Sequence, residues 1–579
     1  MMAPPSPYSF QIIMLLSLTT LLHIASHHHI QAAGSKVEYL PGFDGPLPFQ
    51  LETGYVGLGD TDDDLQVFYY FVESENDPKN DPLILWLTGG PGCSSFSGLA
   101  YQIGPIKFKI EEYNGSSLPN LLLRPQSWTK VSNIIFVDLP FGTGFSYAKD
   151  VISHRSDWKL VHHTHQFIRK WFIEHPEFLS NKFYMGADSY SGIPAPAIVH
   201  EISNGNDKGL HPWINLQGYL LGNPTTTKKE PNDRIPYVHG MALISDELFL
   251  SLQRNCKGEY MNIDSQNHLC LRDMQYFQEC LSRINTFDIL DIYCEDNSLK
   301  NNEAKQRVFL SEIVEASRSS YLSVPAMDCQ IYGFFLGTQW ANDASVRKAL
   351  HIREEIGKWE RCYTTDFDYD IASSFEFHVN LSAKGYRSLI YSGDHDAVVP
   401  FSSTQAWIRA LNYSIVDDWR PWFLNGQVAG YTRTYANQMT FATVKGAGHT
   451  APEYKPDEGL AMFSSTTITT ATTTTTSPPP LPQSQHYHHR QKKKKPQTFE
   501  YWICNRTLGG DITVKRGRRD GEGGRWCGER PSFLTRAAAD SGELEFLLQR
   551  WNLLNTGTRA GSESSQLMSE LELDSVATR

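Results

Sequence analysis

The chain is 579 residues long, with 40% hydrophobic, 12% aromatic and 20% charged residues. That composition can bury a large core, so disordered and collagen-like classes are excluded for the bulk of the chain. A net charge of −12 supplies no basic field for nucleic acid, and no nucleic-acid partner is expected.

In chain order, the first feature is the apolar run Ile12-Ile13-Met14-Leu15-Leu16-Ser17-Leu18 with Leu21-Leu22, followed by the small residues Ala32-Ala33-Gly34. So short a run before small residues predicts a secretory signal peptide over residues 1–33. No later stretch approaches the ~20 apolar residues of a spanning helix, so no membrane partner is expected after its removal. In that compartment the sequons at Asn114, Asn380 and Asn412 become surface glycosylation sites, and a fourth sequon begins at Asn505.

Continuous apolar runs follow at Pro82–Leu87, Asn133–Asp138, Lys182–Gly186, Gly218–Gly222 and Ser388–Gly393. Unbroken rather than alternating runs suit strands buried on both faces of a mostly parallel sheet. Between them, Leu160, His163, Phe167 and Trp171 recur at helical spacing. The expected class is α/β. From about Lys228 to Phe335 this rhythm is lost and cysteines gather, which predicts an inserted cap. Nine cysteines without a CxxC pair read as disulfides of an oxidising compartment, with local pairing between 256 and 294, rather than as a zinc site. No metal is expected.

The last 116 residues change character. Ser464–Pro482 is Thr-rich then Pro-rich, and Lys492–Lys495 is a basic run that reads as solvated charge. Residues 464–579 are therefore expected to form a low-complexity, disordered tail behind a domain spanning 34–463.

The sharpest chemical signal is Phe183-Tyr184-Met185-Gly186-Ala187-Asp188-Ser189-Tyr190-Ser191-Gly192. A strand runs into a small-residue turn around a serine, then Ile193-Pro194 opens a helix, the setting of a nucleophile elbow. Ala187 stands where a glycine is usual, and its methyl is either tolerated there or a strain on the turn. Downstream, Tyr391-Ser392-Gly393-Asp394-His395-Asp396 places acids just past a buried strand. Phe441-Ala442-Thr443-Val444 leads to Gly446-Ala447-Gly448-His449. The chain order Ser, acid, His is that of α/β-hydrolase triads, in which His accepts the serine proton and the acid orients the His.

Together Trp86-Leu87-Thr88-Gly89-Gly90-Pro91-Gly92-Cys93-Ser94-Ser95, Asp188-Ser189-Tyr190-Ser191-Gly192, Gly393-Asp394-His395-Asp396-Ala397-Val398-Val399-Pro400 and Gly446-Ala447-Gly448-His449-Thr450-Ala451-Pro452-Glu453 resemble the serine carboxypeptidase-like family of plants, over roughly Val37–Phe463. The resemblance implies an α/β-hydrolase fold with Ser189 as nucleophile, Asp396 as orienting acid and His449 as general base. It implies an oxyanion hole at the N–H groups of Gly90 and Tyr190. It also suggests disulfides Cys93–Cys329, Cys256–Cys270 and Cys280–Cys294, leaving Cys362 free. No metal or organic cofactor is implied.

Peptidases of the family recognise a substrate carboxylate with an Asn and two Glu residues. The matching positions here are Thr88, Gln102 and Asp188. Two nearby carboxyl groups can share a proton and donate to a carboxylate, which Gln102 cannot do. Thr88 and Asp188 instead resemble the acyltransferase subgroup, which implies a 1-O-acyl-β-glucose donor and a hydroxyl acceptor, in the vacuole or outside the cell. Carboxypeptidase action on a peptide C-terminus is the alternative. A third reading is an inactive scaffold, because a Thr/Pro-rich sequence is expected to replace the family's closing helix after Phe463.

Overall fold

The computed structural model describes residues 34–59, 65–148, 154–228, 230–294 and 324–467, with two short segments at 501–503 and 514–516. The signal peptide, the Asn505 sequon, Cys504, Cys527 and the basic run lie outside the described residues. The chain divides into two units, residues 1–474 and 475–579. In the second, the described residues form one antiparallel pair, Tyr501–Ile503 with Val514–Arg516.

The first unit is built on a 12-stranded sheet. Its centre is six parallel strands in the order Asn133–Val137, Leu83–Leu87, Phe183–Asp188, Leu216–Gly222, Arg387–Gly393 and Met439–Val444. Antiparallel strands flank this centre on both sides: Leu65–Val72 and Leu51–Leu58 on one, Gln427–Tyr435 and Ile415–Leu424 on the other. Alternate residues of the central strands enter different cores. Leu83, Leu85, Leu87, Ile135 and Val137 join one apolar cluster, while Ile84, Trp86, Ile134 and Phe136 join a second. Burial of both faces is why the runs are continuously apolar rather than alternating. The fold is an α/β-hydrolase fold.

Helix Asp157–Glu174 shows how the layers attach. Ser156 caps it by accepting the Lys159 N–H, and Leu160, Val161, Phe167, Ile168 and Trp171 bury one face in the first cluster. Between strands Leu216–Gly222 and Arg387–Gly393 lies the segment expected to form the cap. Helices Arg234–Gly240, Asp246–Cys256 and His268–Leu281 enclose a small apolar core of their own, which also takes in Ala397.

A helix crosses the expected domain end at Phe463, and the chain just beyond Thr467 lies outside the described residues. This helix runs Pro456–Thr467 and buries Met462 and Phe463. The Phe463 ring stacks on Trp128 at 4.2 Å between centroids. Threonine and serine are indifferent helix formers, but packing of an apolar face outweighs propensity in so short a segment. Phe463→Ala is expected to cost about 3–5 kcal/mol by urea unfolding, since it empties a closed aromatic contact. Among the described residues no helix is long and apolar enough to cross a membrane.

Candidate active site

Ser189 sits at the C-terminal end of strand Phe183–Asp188, on the turn into helix Pro194–Asp207. Its φ of 53° is left-handed, a conformation that costs a non-glycine residue about 1–3 kcal/mol and persists only where the surroundings impose it. The strain falls on Ser189 itself. Of the two outcomes open for Ala187 the tolerated one holds: it is an ordinary strand residue paired with Leu87 and Leu221, its methyl buried in the first core cluster. The close approach is made by Gly89, where a Cβ would lie 2.7 Å from Ser189 Cβ and 3.0 Å from Tyr190 N. Tyr190 is itself anchored, its hydroxyl donating to Asp157 Oδ1 at 2.7 Å.

Two loops from neighbouring strands complete the site. Ser189 Oγ lies 2.7 Å from His449 Nε2, and His449 Nδ1 lies 2.8 Å from Asp396 Oδ2. The Asp396 carboxylate also accepts from Asn223 Nδ2 at 2.7 Å and from the N–H groups of Val398 and Val399. As an acceptor throughout, it requires the proton on His449 Nδ1, which leaves Nε2 free to accept from the serine hydroxyl. Burial pulls the His449 imidazolium down, but the charge and hydrogen bond of Asp396 outweigh it. Asp188 adds to them, and His449 stands above the ordinary histidine range. The two loops are also tied to each other. Gly446 N–H donates to Asp394 Oδ1 at 2.7 Å, and His395 N–H donates to the Ala447 carbonyl at 2.9 Å.

Thr88, Gln102 and Asp188 come together beside Ser189. Asp188 accepts the Gly89 N–H and the Gln102 side-chain amide, both at 2.8 Å. Burial raises the Asp188 carboxyl above its ordinary value, against the pull of those two donors. Gln102 Oε1 and Thr88 Oγ1 are buried with no hydrogen-bond partner. The glycine-rich loop is held from behind by Asp138, which accepts from Ser94 Oγ and the N–H groups of Ser95 and Phe145. Burial pushes Asp138 up to about 7.

Asn223 and Asp138 were not foreseen from the sequence. Asn223 directly follows a strand in Gly222-Asn223-Pro224, where a φ of 42° suits asparagine, and a polar residue in that position reads as turn chemistry. Among the described residues no group of three or more His, Cys, Asp or Glu is placed to hold a metal ion.

Two of the three expected disulfides are re-paired. The bonds are Cys93–Cys362, Cys256–Cys270 and Cys294–Cys329, so Cys93–Cys329 and Cys280–Cys294 do not form. Cys93 meets Cys362 because the two segments bridge. Tyr363 N–H donates to the Gly92 carbonyl, and Ser94 N–H donates to the Arg361 carbonyl. Among the described residues the free cysteine is Cys280, on an exposed helix face, instead of Cys362. Three disulfides fit folding in an oxidising, secretory compartment. Asn114, Asn380 and Asn412 are all exposed.

The sequence model of the serine carboxypeptidase family matches residues 41–468. Serine carboxypeptidase-like 19 of Arabidopsis thaliana is 52% identical over 461 residues, 79% of this chain and 97% of its own length. Serine carboxypeptidase-like 2 of the same plant is 53% identical over 456 residues, 78% of this chain and 96% of its own. The crystal structure of Kex1, a prohormone-processing carboxypeptidase of Saccharomyces cerevisiae, superposes with a TM-score of 0.60 at 21% identity. It covers 75% of this chain and 95% of the Kex1 chain. A chain with this fold, this serine turn and near full-length cover of its plant relatives belongs to the serine carboxypeptidase family.

Proposed function

We propose that the protein is a serine-dependent acyltransferase that moves an acyl group from a 1-O-acyl-β-glucose to an acceptor hydroxyl. The observation that carries the choice is the Gln102–Asp188 hydrogen bond at 2.8 Å. Gln102 donates one N–H of its amide to Asp188 and keeps an unpartnered carbonyl oxygen, while Asp188 offers acceptors. Such a pair has no shared proton to give to a substrate carboxylate, but it suits the hydroxyl groups of a neutral sugar.

Ser189 attacks the ester carbonyl while His449 Nε2 takes its proton, and Asp396 stabilises the imidazolium. The N–H groups of Gly90 and Tyr190 receive the oxyanion, a pair whose single donors are worth about 2.7–4 kcal/mol each in such sites. The imidazolium protonates the departing sugar oxygen, leaving the acyl group on Ser189. An acceptor hydroxyl then gives its proton to His449 and attacks the acyl carbonyl, and collapse of the second oxyanion returns Ser189. Water competes at this step, so the same geometry serves transfer and hydrolysis. The place of action is the vacuole or the extracellular space.

The test is a mass-spectrometric assay of the secreted protein with a mixture of acyl-glucose donors, hydroxyl acceptors and a blocked dipeptide. Acyl transfer without dipeptide cleavage is expected. Ser189→Ala should lower it by about 10⁶-fold, below detection. Dipeptide cleavage in place of transfer would assign the peptidase reading.

A further inference from the structure

Beyond helix His268–Leu281, the backbone of the cap segment is bonded to both reactive loops. The Thr286 carbonyl accepts the N–H of Ala397 at 3.0 Å, and Ile289 N–H donates to the His395 carbonyl at 3.1 Å. Those partners are the two chain neighbours of Asp396. The Phe287 carbonyl accepts the N–H of His449 itself at 2.6 Å. The Phe287 ring meets the His449 imidazole edge-on, with centroids 5.3 Å apart and planes at 71°.

The segment is shaped to do this. Asn285 Oδ1 accepts the Phe287 N–H, and the buried Asp288 carboxylate accepts the Leu290 N–H. Its far end is fastened by Cys294–Cys329. Gly448 makes the fit possible, since a Cβ there would lie 2.3 Å from the Phe287 carbonyl oxygen and 2.6 Å from Asp288 Cβ.

We infer that residues 285–289 are a strap that holds the Asp396 and His449 loops in register, with Phe287 as a positioning residue for the His449 imidazole. The inference rests on the proposed roles of Ser189, Asp396 and His449. The backbone bonds fix where the two loops stand relative to each other. The Phe287 ring closes one side of the imidazole, so water does not compete for the Ser189–His449 hydrogen bond. The charges that act on the imidazole are those of Asp396 and Asp188, while Asp288 on the strap acts on Asp396 and on His395 of the acid loop. Substitution of Phe287 leaves all four in place. Its effect on titration is then that of water entry, which favours the imidazolium and moves the activity limb to higher pH.

The experiment follows the rate at which a fluorophosphonate labels Ser189, against pH and with thermal unfolding alongside. It uses wild type, Phe287→Ala, Phe287→Leu and Gly448→Ala. Phe287→Ala is expected to label about tenfold more slowly or worse, with its pH limb raised. Phe287→Leu should recover most of the rate, because an apolar shield returns. Gly448→Ala, which pushes the strap away while keeping Phe287, should label slowly too. A folded Phe287→Ala with the wild-type rate and limb overturns the inference while leaving the triad reading intact. If Phe287→Ala fails to fold, a wild-type rate in Gly448→Ala overturns it equally. Wild-type protein that never labels would overturn the triad reading and the strap with it.

Discussion

Asp396→Asn is expected to lower kcat for the proposed acyl transfer by about 10⁴-fold, the scale on which loss of a triad acid acts when the rest of the site survives. The structure supplies two reasons. The carboxylate takes hydrogen bonds from His449 Nδ1, Asn223 and the N–H groups of Val398 and Val399, all donors. An asparagine presents an NH₂ group to at least one of them. Where it faces His449, the imidazole is driven to the other tautomer, its Nε2 carries the proton, and the serine loses its base. Where it faces the backbone, buried N–H donors lose their acceptor at about 1–3 kcal/mol each. Steady-state transfer assays and urea unfolding separate the two effects. A variant that kept wild-type kcat would make Asp396 a purely structural residue.

Gln102→Glu is expected to confer acid-dependent carboxypeptidase activity while weakening acyl transfer. Glutamate has nearly the shape of glutamine, so the side chain keeps its place 2.8 Å from Asp188 Oδ2. Two carboxyl groups at that distance cannot both ionise, and burial already raises Asp188. The pair therefore retains a proton at acidic pH and can donate to a C-terminal carboxylate. At neutral pH its charge repels that carboxylate. Release of the C-terminal residue from a blocked dipeptide should rise by about tenfold or more at low pH, and fall away as the pair ionises. No cleavage at any pH would mean that the Gln102–Asp188 bond does not decide substrate class.

The parts of this molecule that could be read from sequence are those whose physics is local. Leu83–Leu87 and Asn133–Val137 had to be apolar throughout because both faces are covered. Ser189 declared itself by the small residues needed beside a left-handed turn, and His449 by its glycine-rich loop after a strand. What escaped the sequence depends on distant partners. Cys93 and Cys362 are 269 residues apart and meet because backbone segments bridge, which no spacing rule encodes. Asn223 looks like a turn residue until Asp396 is placed beside it. The strap contacts are made largely by backbone carbonyls and N–H groups, which are indifferent to side-chain identity and leave no pattern. The end of the last helix was blurred for a further reason: Ser464 to Thr467 looked like the start of a polar tail, yet the helix of Met462 and Phe463 runs on through them.

The observed cysteine pairing has a topological consequence for proteolysis. Cys294–Cys329 and Cys93–Cys362 both join the chain before residue 295 to the chain after 323, whereas Cys256–Cys270 lies wholly on the upstream side. A cut anywhere in that interval would yield two polypeptides joined by two covalent links. One would carry Ser189, Asp188 and the strap, the other Asp396 and His449. Electrophoresis would show a single species without reductant and two with it. The hydroxyl would then belong to one chain and the imidazole and carboxylate to the other, and activity would be a property of the linked pair alone.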